Sequence, residues 1–367
     1  MNENMPDSEK KRLESVIKEM AKVISKLIGL VSFLAVVSVV LIVTHVTGLP
    51  EIFKKHNSGE EKINPSKDIV SDKNNMLDKT SGVWTAPDTS TISNEENKDA
   101  IRYGHNLISN TAYYLGPKGK IANISNGMNC QNCHLDAGTK PFGNNYSGVV
   151  STYPKFRERS GKIENIYKRV NDCFERSLNG QILDTLGKEM QAIVAYIKWI
   201  GKDVPKGEKP KGAGITELAY MSRAANPENG KVIYMQKCKS CHTETGEGKL
   251  NADGIMYQYP PLWGEHSYNI GAGLYRLSRF AGYVKSNMPQ GATYDNPQLS
   301  DEEAWDVAAF VNSQPRPKKE LQADWPKISG KPIDNPFGPY ADKFTETQHK
   351  YGPFEPIAEA KKKISKK

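Results

Sequence analysis

Cys130-Gln131-Asn132-Cys133-His134 and Cys238-Lys239-Ser240-Cys241-His242 are two copies of one pattern, C-x-x-C-H. In that pattern two thiols add across the vinyl groups of a porphyrin, and the adjacent histidine is held where its imidazole ligates the iron. One short turn then both attaches and ligates a c-type haem. A lone C-x-x-C also fits a redox disulfide, and paired ones fit zinc, but neither use asks for a histidine directly after each pair. The chain is expected to carry two covalently attached haem c groups. Cys130, Cys133, Cys238 and Cys241 attach them, and His134 and His242 are the proximal iron ligands.

Working outward from each motif, the same order of segments appears twice: an opening helix, C-x-x-C-H, a long irregular region and a closing helix. The first unit, 98–203, opens near Lys98 to Tyr114. It closes near Thr185 to Ile200, where Leu186, Met190, Ile193, Ile197 and Ile200 recur at helical spacing before Gly201. The second unit, 215–314, opens at Pro227 to Tyr234 and closes at Ser300 to Val311. Ser300 and Glu303 have the spacing of a capping box there. Gly201 to Gly214, rich in Lys, Gly and Pro, reads as the connector. Residues 315–367 are expected to form an extended strap packed across the haem domains and ending in a basic tail, since Pro315 to Pro356 is rich in Pro, Gly and aromatics but lacks periodicity. The fold class is mostly α, two cytochrome c-like helical domains in tandem.

A c-type haem keeps its histidine, so the ligand on the other face of the iron does most to set potential and reactivity. In the second unit Met288, in Asn287-Met288-Pro289-Gln290-Gly291, stands on a proline-fixed loop before the closing helix. A thioether there raises the potential and suits an electron relay; Lys285 and His266 are further candidates in the same unit. The first unit has no such loop. It has Cys173, the one of five cysteines left over after haem attachment. Ile163, Ile166, Tyr167, Val170, Phe174 and Leu178 follow helical spacing around it, and Asn179-Gly180 ends the pattern. On that stripe the thiol points inward, as a thiolate ligand to the first iron or as an inert core cysteine. Ser177 lies one turn further along the same face. Lys155, Arg157, Arg159 and Lys162 precede Cys173, with Arg169 and Arg176 close by. Arginines suit a bound oxyanion, though haem propionates and solvent also draw them.

At 367 residues the chain is long enough for two or three domains, and its net charge of +8 is mild enough that nucleic acid is a poor partner. Leu27 to Val46 is almost wholly apolar and about as long as a membrane-crossing helix requires. Lys10, Lys11, Arg12, Lys18, Lys22 and Lys26 precede it, which keeps the amino end in the cytoplasm. No small-x-small cleavage site follows it. Residues 1–26 are thus expected as a cytoplasmic segment and 27–46 as an inner-membrane anchor. A polar tether over 47–97 would then carry catalytic domains standing in the periplasm.

Cys173-Phe174-Glu175-Arg176-Ser177-Leu178-Asn179-Gly180 after the first motif and Met288-Pro289 after the second carry a resemblance, together with Asp324-Trp325-Pro326, Gly338-Pro339-Tyr340 and His349-Lys350-Tyr351-Gly352-Pro353-Phe354 in the tail. Over roughly residues 80 to 358 the chain resembles the thiosulfate dehydrogenases, dihaem cytochromes c. That resemblance implies joining of two thiosulfates to tetrathionate with release of two electrons, or the reverse. It implies Cys173 as distal ligand of an active-site haem, Ser177 with Arg157 and Arg159 as anion-holding residues, and Met288 as ligand of a second haem that exchanges electrons with a redox partner such as a cytochrome c or a membrane electron-transport component. A pure electron-transfer dihaem cytochrome and a sulfur-oxidation carrier subunit are the competing readings. A dihaem peroxidase would need a releasable histidine, which His105, His266 and His349 do not convincingly supply.

Overall fold

The computed structural model describes residues 82–364, together with the helical residues 18–20, 22, 24–26 and 28. The chain divides into two units, Met1–Asp72 and Lys73–Lys367. Of the first, only those helical residues are described; Met20, Ile24 and Ile28 are exposed on them. Apart from those residues, the cytoplasmic segment, the apolar span 27–46 and the tether up to residue 81 lie outside the described residues. Among the described residues no helix is long and apolar enough to cross a membrane.

Within the second unit the two halves are built alike. Helix α1 (Lys98–Ser109) opens the first half. A hairpin of β1 (Lys155–Arg157) and β2 (Lys162–Glu164) follows its haem motif, then α2 (Ile166–Arg176), and α3 (Lys188–Ile200) closes it. The second half opens with α4 (Pro227–Lys237). It has the hairpin β3 (Lys249–Leu250) and β4 (Tyr257–Tyr259), then α5 (Leu277–Asn287), and closes with α6 (Asp301–Ser313). In each half the opening and closing helices cross at a glycine. A Cβ on Gly104 would come 2.0 Å from the Ala192 carbonyl oxygen, and one on Gly230 would come 1.9 Å from that of Asp306. Neither crossing has room for any other residue, so one packing rule, glycine against a facing helix backbone, is used twice.

The closing helix of the second half starts as the sequence requires: Ser300 accepts from the Glu303 backbone N–H, and Glu303 accepts from that of Ser300. Three expectations are corrected. The helix bearing Cys173 starts at Ile166, where Asn165 caps it by accepting from the Lys168 N–H, so Ile163 is not on it. Ile163 instead faces Phe156 across the β1–β2 pair and is 74% exposed. A three-residue strand and a helix turn shared the spacing that had joined them into one stripe. The polar tether ends before residue 97, because Trp84 and Ile92 are buried in the first core. The strap is extended only in part. It finishes in α7 (Glu346–Tyr351) and α8 (Glu355–Ile364), and Phe354 and Ile357 are buried in the second core.

The strap is fastened by charge as well as by packing. Asp334, 1% exposed, accepts from Arg276 Nε at 2.8 Å and Nη2 at 2.6 Å and from the Ser278 N–H and hydroxyl at the start of α5. Burial pushes this carboxyl upward, but Arg276 and Ser278 outweigh it and hold it below its ordinary value. Removing one partner of such a pair strands the other, which costs about 3–5 kcal/mol. Asp334→Ala is expected to lose that order of stability in chemical denaturation of the haem-loaded protein. A midpoint equal to that of the parent would disprove the role.

Candidate active site

The two haem motifs fold into one geometry. Cys133 N–H and His134 N–H both reach the Cys130 carbonyl, at 3.2 and 2.9 Å; Cys241 and His242 reach that of Cys238 at 3.2 and 3.0 Å. These tight turns set both thiols and the imidazole along one side of the backbone. His134 Nδ1 lies 2.5 Å from the Asn144 carbonyl oxygen, and His242 Nδ1 lies 2.9 Å from that of Pro260. A carbonyl accepts only, so each Nδ1 carries the proton and each Nε2 keeps a lone pair for iron. Burial pushes His134 down to about 4, which keeps the imidazole neutral at working pH. It also pushes the Cys130 and Cys133 thiols up to about 12 and Cys238 up to about 11, so unattached they are not exposed reactive thiolates. Each turn opens on a largely apolar cavity. The first, about 130 Å³, is lined by Cys130, Cys133, His134, Tyr146 and Cys173; the second, about 430 Å³, by Cys238, Cys241, His242, Tyr259 and Met288. Both donor sets fit a covalent haem, with histidine and a sulfur residue sharing each cavity.

The cavities are not alike on the ligand side. Met288 caps α5, its N–H donating to the Val284 carbonyl at 2.9 Å. Of the other candidates in that half, Lys285 Nζ is held by the Leu299 carbonyl and Asp301, both at 2.7 Å, and His266 is exposed and outside the cavity lining. His105 packs edge-on to Tyr196, and His349 is buried in the strap between the Ile333 carbonyl and Asp342. In the first half Cys173 is half-buried on α2, and Arg169, one turn earlier, donates from Nη1 to its sulfur at 3.0 Å. Arg169 is pushed above its ordinary value chiefly by negative charge on Cys173, against the opposing pull of burial.

Beside this sulfur lies a second cavity of about 310 Å³, lined by Cys173, Ser177, Arg157, Arg159, Arg169 and Arg176 from the first half. All four residues anticipated around the substrate, Cys173, Ser177, Arg157 and Arg159, are therefore on one surface, and His134 also reaches it. Arg176 is engaged by Asp324 of the strap through two hydrogen bonds of 2.8 and 2.7 Å. Arg159 donates to the Gly271 carbonyl at 3.0 Å and its guanidinium lies 5.4 Å from the Trp325 ring centre. Burial first, and then the neighbouring Arg176, push Arg159 down to about 10, the signature of cations crowded where an anion would relieve them. Sequence reading missed that the second half closes this cavity with Arg276 and Arg279, the connector with Lys209 and the strap with Trp325. No local pattern marks them, because they arrive only by docking of the halves.

That docking is specific. Asn269 Nδ2 donates to the Glu175 carbonyl and to Asn179 at the end of α2, and Tyr283 Oη donates to the Asn132 carbonyl inside the first motif at 2.9 Å. The cavity of the second motif is walled in part by Asn129, Gln131, Asn132 and Leu135, which flank the first. A chain of this kind, with two C-x-x-C-H turns on tandem helical domains, is a dihaem cytochrome c. Residues 120–205 match the cytochrome c domain shared by SoxA and TsdA, and residues 227–315 match cytochrome c. The chain is 40% identical over 241 residues to a thiosulfate dehydrogenase of Psychrobacter arcticus, covering 65% of this chain and 71% of that protein. It is 37% identical over 219 residues to one of Allochromatium vinosum, covering 58% and 79%. A solved structure, the thiosulfate dehydrogenase TsdBA of Marichromatium purpuratum, aligns with a TM-score of 0.61 at 29% identity. The alignment covers 70% of this chain and 53% of that one, so this chain spans about half of the solved protein. The chain belongs to the thiosulfate dehydrogenase family, oxidoreductases that act on sulfur compounds, and it carries two covalently bound c-type haems.

Proposed function

We propose that the chain joins two thiosulfate ions into tetrathionate at Cys173, and that the same site runs the reverse reduction when the electron supply favours it. The observation that carries this reading is a sulfur held by a half-buried guanidinium and lining both the cavity of the first haem turn and a cavity lined with arginines. Bound haem supplies two one-electron acceptors, the number that formation of one sulfur–sulfur bond requires.

The chain's own residues supply the rest. Arg169 steadies Cys173 as thiolate, and the cysteine sulfur bonds to the outer sulfur of the first thiosulfate with loss of two electrons, leaving Cys173–S–SO3 with one negative charge. A second thiosulfate attacks the outer sulfur of that adduct; the bond to Cys173 breaks and the thiolate is regenerated as tetrathionate departs. Charge balances in both steps. A thiosulfate dianion must approach first the thiolate and then the monoanionic adduct, and Arg159 and Arg157 offset that repulsion while the Ser177 hydroxyl donates to a sulfonate oxygen. His242 and Met288, which share one cavity, would hold the second haem, and a thioether ligand there would suit that group to relay electrons to an external redox partner such as a cytochrome. Export to the periplasm and retention at the inner membrane by the apolar span 27–46 belong to the same proposal and rest on hydropathy and charge asymmetry.

The test is thiosulfate-dependent reduction of ferricyanide by the haem-loaded protein, with tetrathionate as product, and tetrathionate-dependent oxidation of the reduced protein. Arg169→Gln is expected to lower kcat/KM about tenfold or more, the loss of one charge-assisted contact. No turnover in either direction by a protein with both haems attached would end this reading in favour of an electron carrier.

A further inference from the structure

Of the six arginines around the cavity beside Cys173, four are matched by buried or nearly buried carboxylates, Arg159 among them at 4.0 Å from Asp324. Arg157 lies 3.9 Å from Glu164, Arg176 pairs with Asp324 at 2.7 Å and Arg276 with Asp334 at 2.6 Å. Arg169 is committed to the Cys173 sulfur, and Arg159 also donates to the Gly271 carbonyl. Arg279 differs from all of these. Its only ion-pair contact among the described residues is with Glu217 at 3.7 Å, and that carboxylate is 78% exposed, so water screens the pair heavily. It also lines the cavity with Arg276, the residue that precedes the first turn of the same helix, so its neighbour adds repulsion rather than relief. Burial first and then Arg276 push its guanidinium below the ordinary arginine value. The result is a cation, itself 36% exposed, whose one described carboxylate partner is weak, set on the second domain's wall of a cavity whose sulfur stands on the first domain.

We propose that Arg279 forms a second anion subsite that takes the sulfonate of the incoming thiosulfate, which becomes the distal sulfonate of tetrathionate. The proposal rests on the thiosulfate reading above. The product is a chain of four sulfurs with a sulfonate at each end, so a site that makes it requires two anion holds separated along the chain. The groups beside Cys173 serve the inner end, and the domain that carries the second haem serves the outer one. Substrate then binds across the domain junction, and the junction is part of the active site.

Haem propionates are the other anions a guanidinium here would meet, and the experiment separates the two. Arg279→Gln and Arg279→Lys are compared with the parent in the full-length haem-loaded protein. Steady-state kinetics use thiosulfate, and equilibrium titration of the oxidised protein uses tetrathionate, which reports binding without turnover. The Gln variant is expected to raise KM for thiosulfate and Kd for tetrathionate about tenfold, with kcat at saturation changed less than threefold and the first haem's midpoint potential unmoved. The Lys variant is expected to recover part of the affinity. Unchanged KM and Kd in the Gln variant overturn the proposal, as does a shifted first-haem potential with unchanged affinity, which would assign Arg279 to a propionate. A parent protein that binds tetrathionate but turns over neither anion refutes the catalytic reading while leaving the subsite measurable; a parent that binds no tetrathionate overturns both.

Discussion

Cys173→Gly is expected to reduce thiosulfate turnover by about 10⁴-fold or more, with both haems still attached. The size of the effect follows from how many functions converge on one atom. The sulfur partners the Arg169 guanidinium and lines the cavity of the first haem turn, and in the proposed reaction it would be both the nucleophile that carries the adduct and a ligand to the first iron. Losses of that order follow removal of a nucleophile whose supporting groups act with it as a unit. Haem attachment survives, because Cys130, Cys133 and the His134 hydrogen bond to Asn144 lie on a separate turn. Folding survives as well. Glycine inside α2 costs about 1 kcal/mol relative to alanine, and Cys173→Ala, free of that cost, should be equally inactive. Paramagnetic resonance of the oxidised parent should show a low-spin haem with thiolate and imidazole ligands, and that signal should vanish in both variants. Near-normal turnover in either variant would remove Cys173 from the chemistry.

How much of this was legible in the order of residues depends on the range of the interaction concerned. Both haem turns, the four boundary helices and the Ser300–Glu303 cap were legible because each is written within a few residues: a motif, a helical period, a hydroxyl three positions before a carboxylate. Cys173 was legible for a different reason, as a thiol without a partner in a chain whose other four cysteines had a use. The stripe drawn through Ile163 failed because apolar spacing alone does not say where backbone hydrogen bonding changes from strand to helix. The Asn165 cap was the local signal that would have corrected it. Arg276, Arg279 and Trp325 were out of reach, since they join the site only when the second domain and strap dock on the first, through contacts such as Asn269 with Glu175 and Trp325 N–H with the Arg159 carbonyl. A site assembled at a junction is written in three distant segments, none of which carries a motif of its own.

Met288→His is expected to lower the midpoint potential of the second haem by on the order of 0.2 V, a quarter of the span that axial ligands cover. The thioether is a weak donor that favours reduced iron, and imidazole favours oxidised iron. Met288 shares the cavity of His242, and its place at the end of α5 is fixed by its own N–H on Val284, so a substituted imidazole stays near the same position. One electron across 59 mV is a tenfold change in equilibrium, so about 0.2 V changes the balance between the two haems by about 10³. Thiosulfate oxidation then slows, because electrons leaving the first haem no longer run downhill into the second. Reduction of tetrathionate by a low-potential donor slows far less. The ratio of the two rates therefore shifts towards reduction, although no residue at Cys173 has changed. Lys285→Met should leave the potential in place, since that ammonium is tied to Asp301 and the Leu299 carbonyl rather than to the haem cavity. Redox titration of both variants decides the matter: an unmoved potential in Met288→His, or a large shift in Lys285→Met, would transfer the ligand role away from Met288.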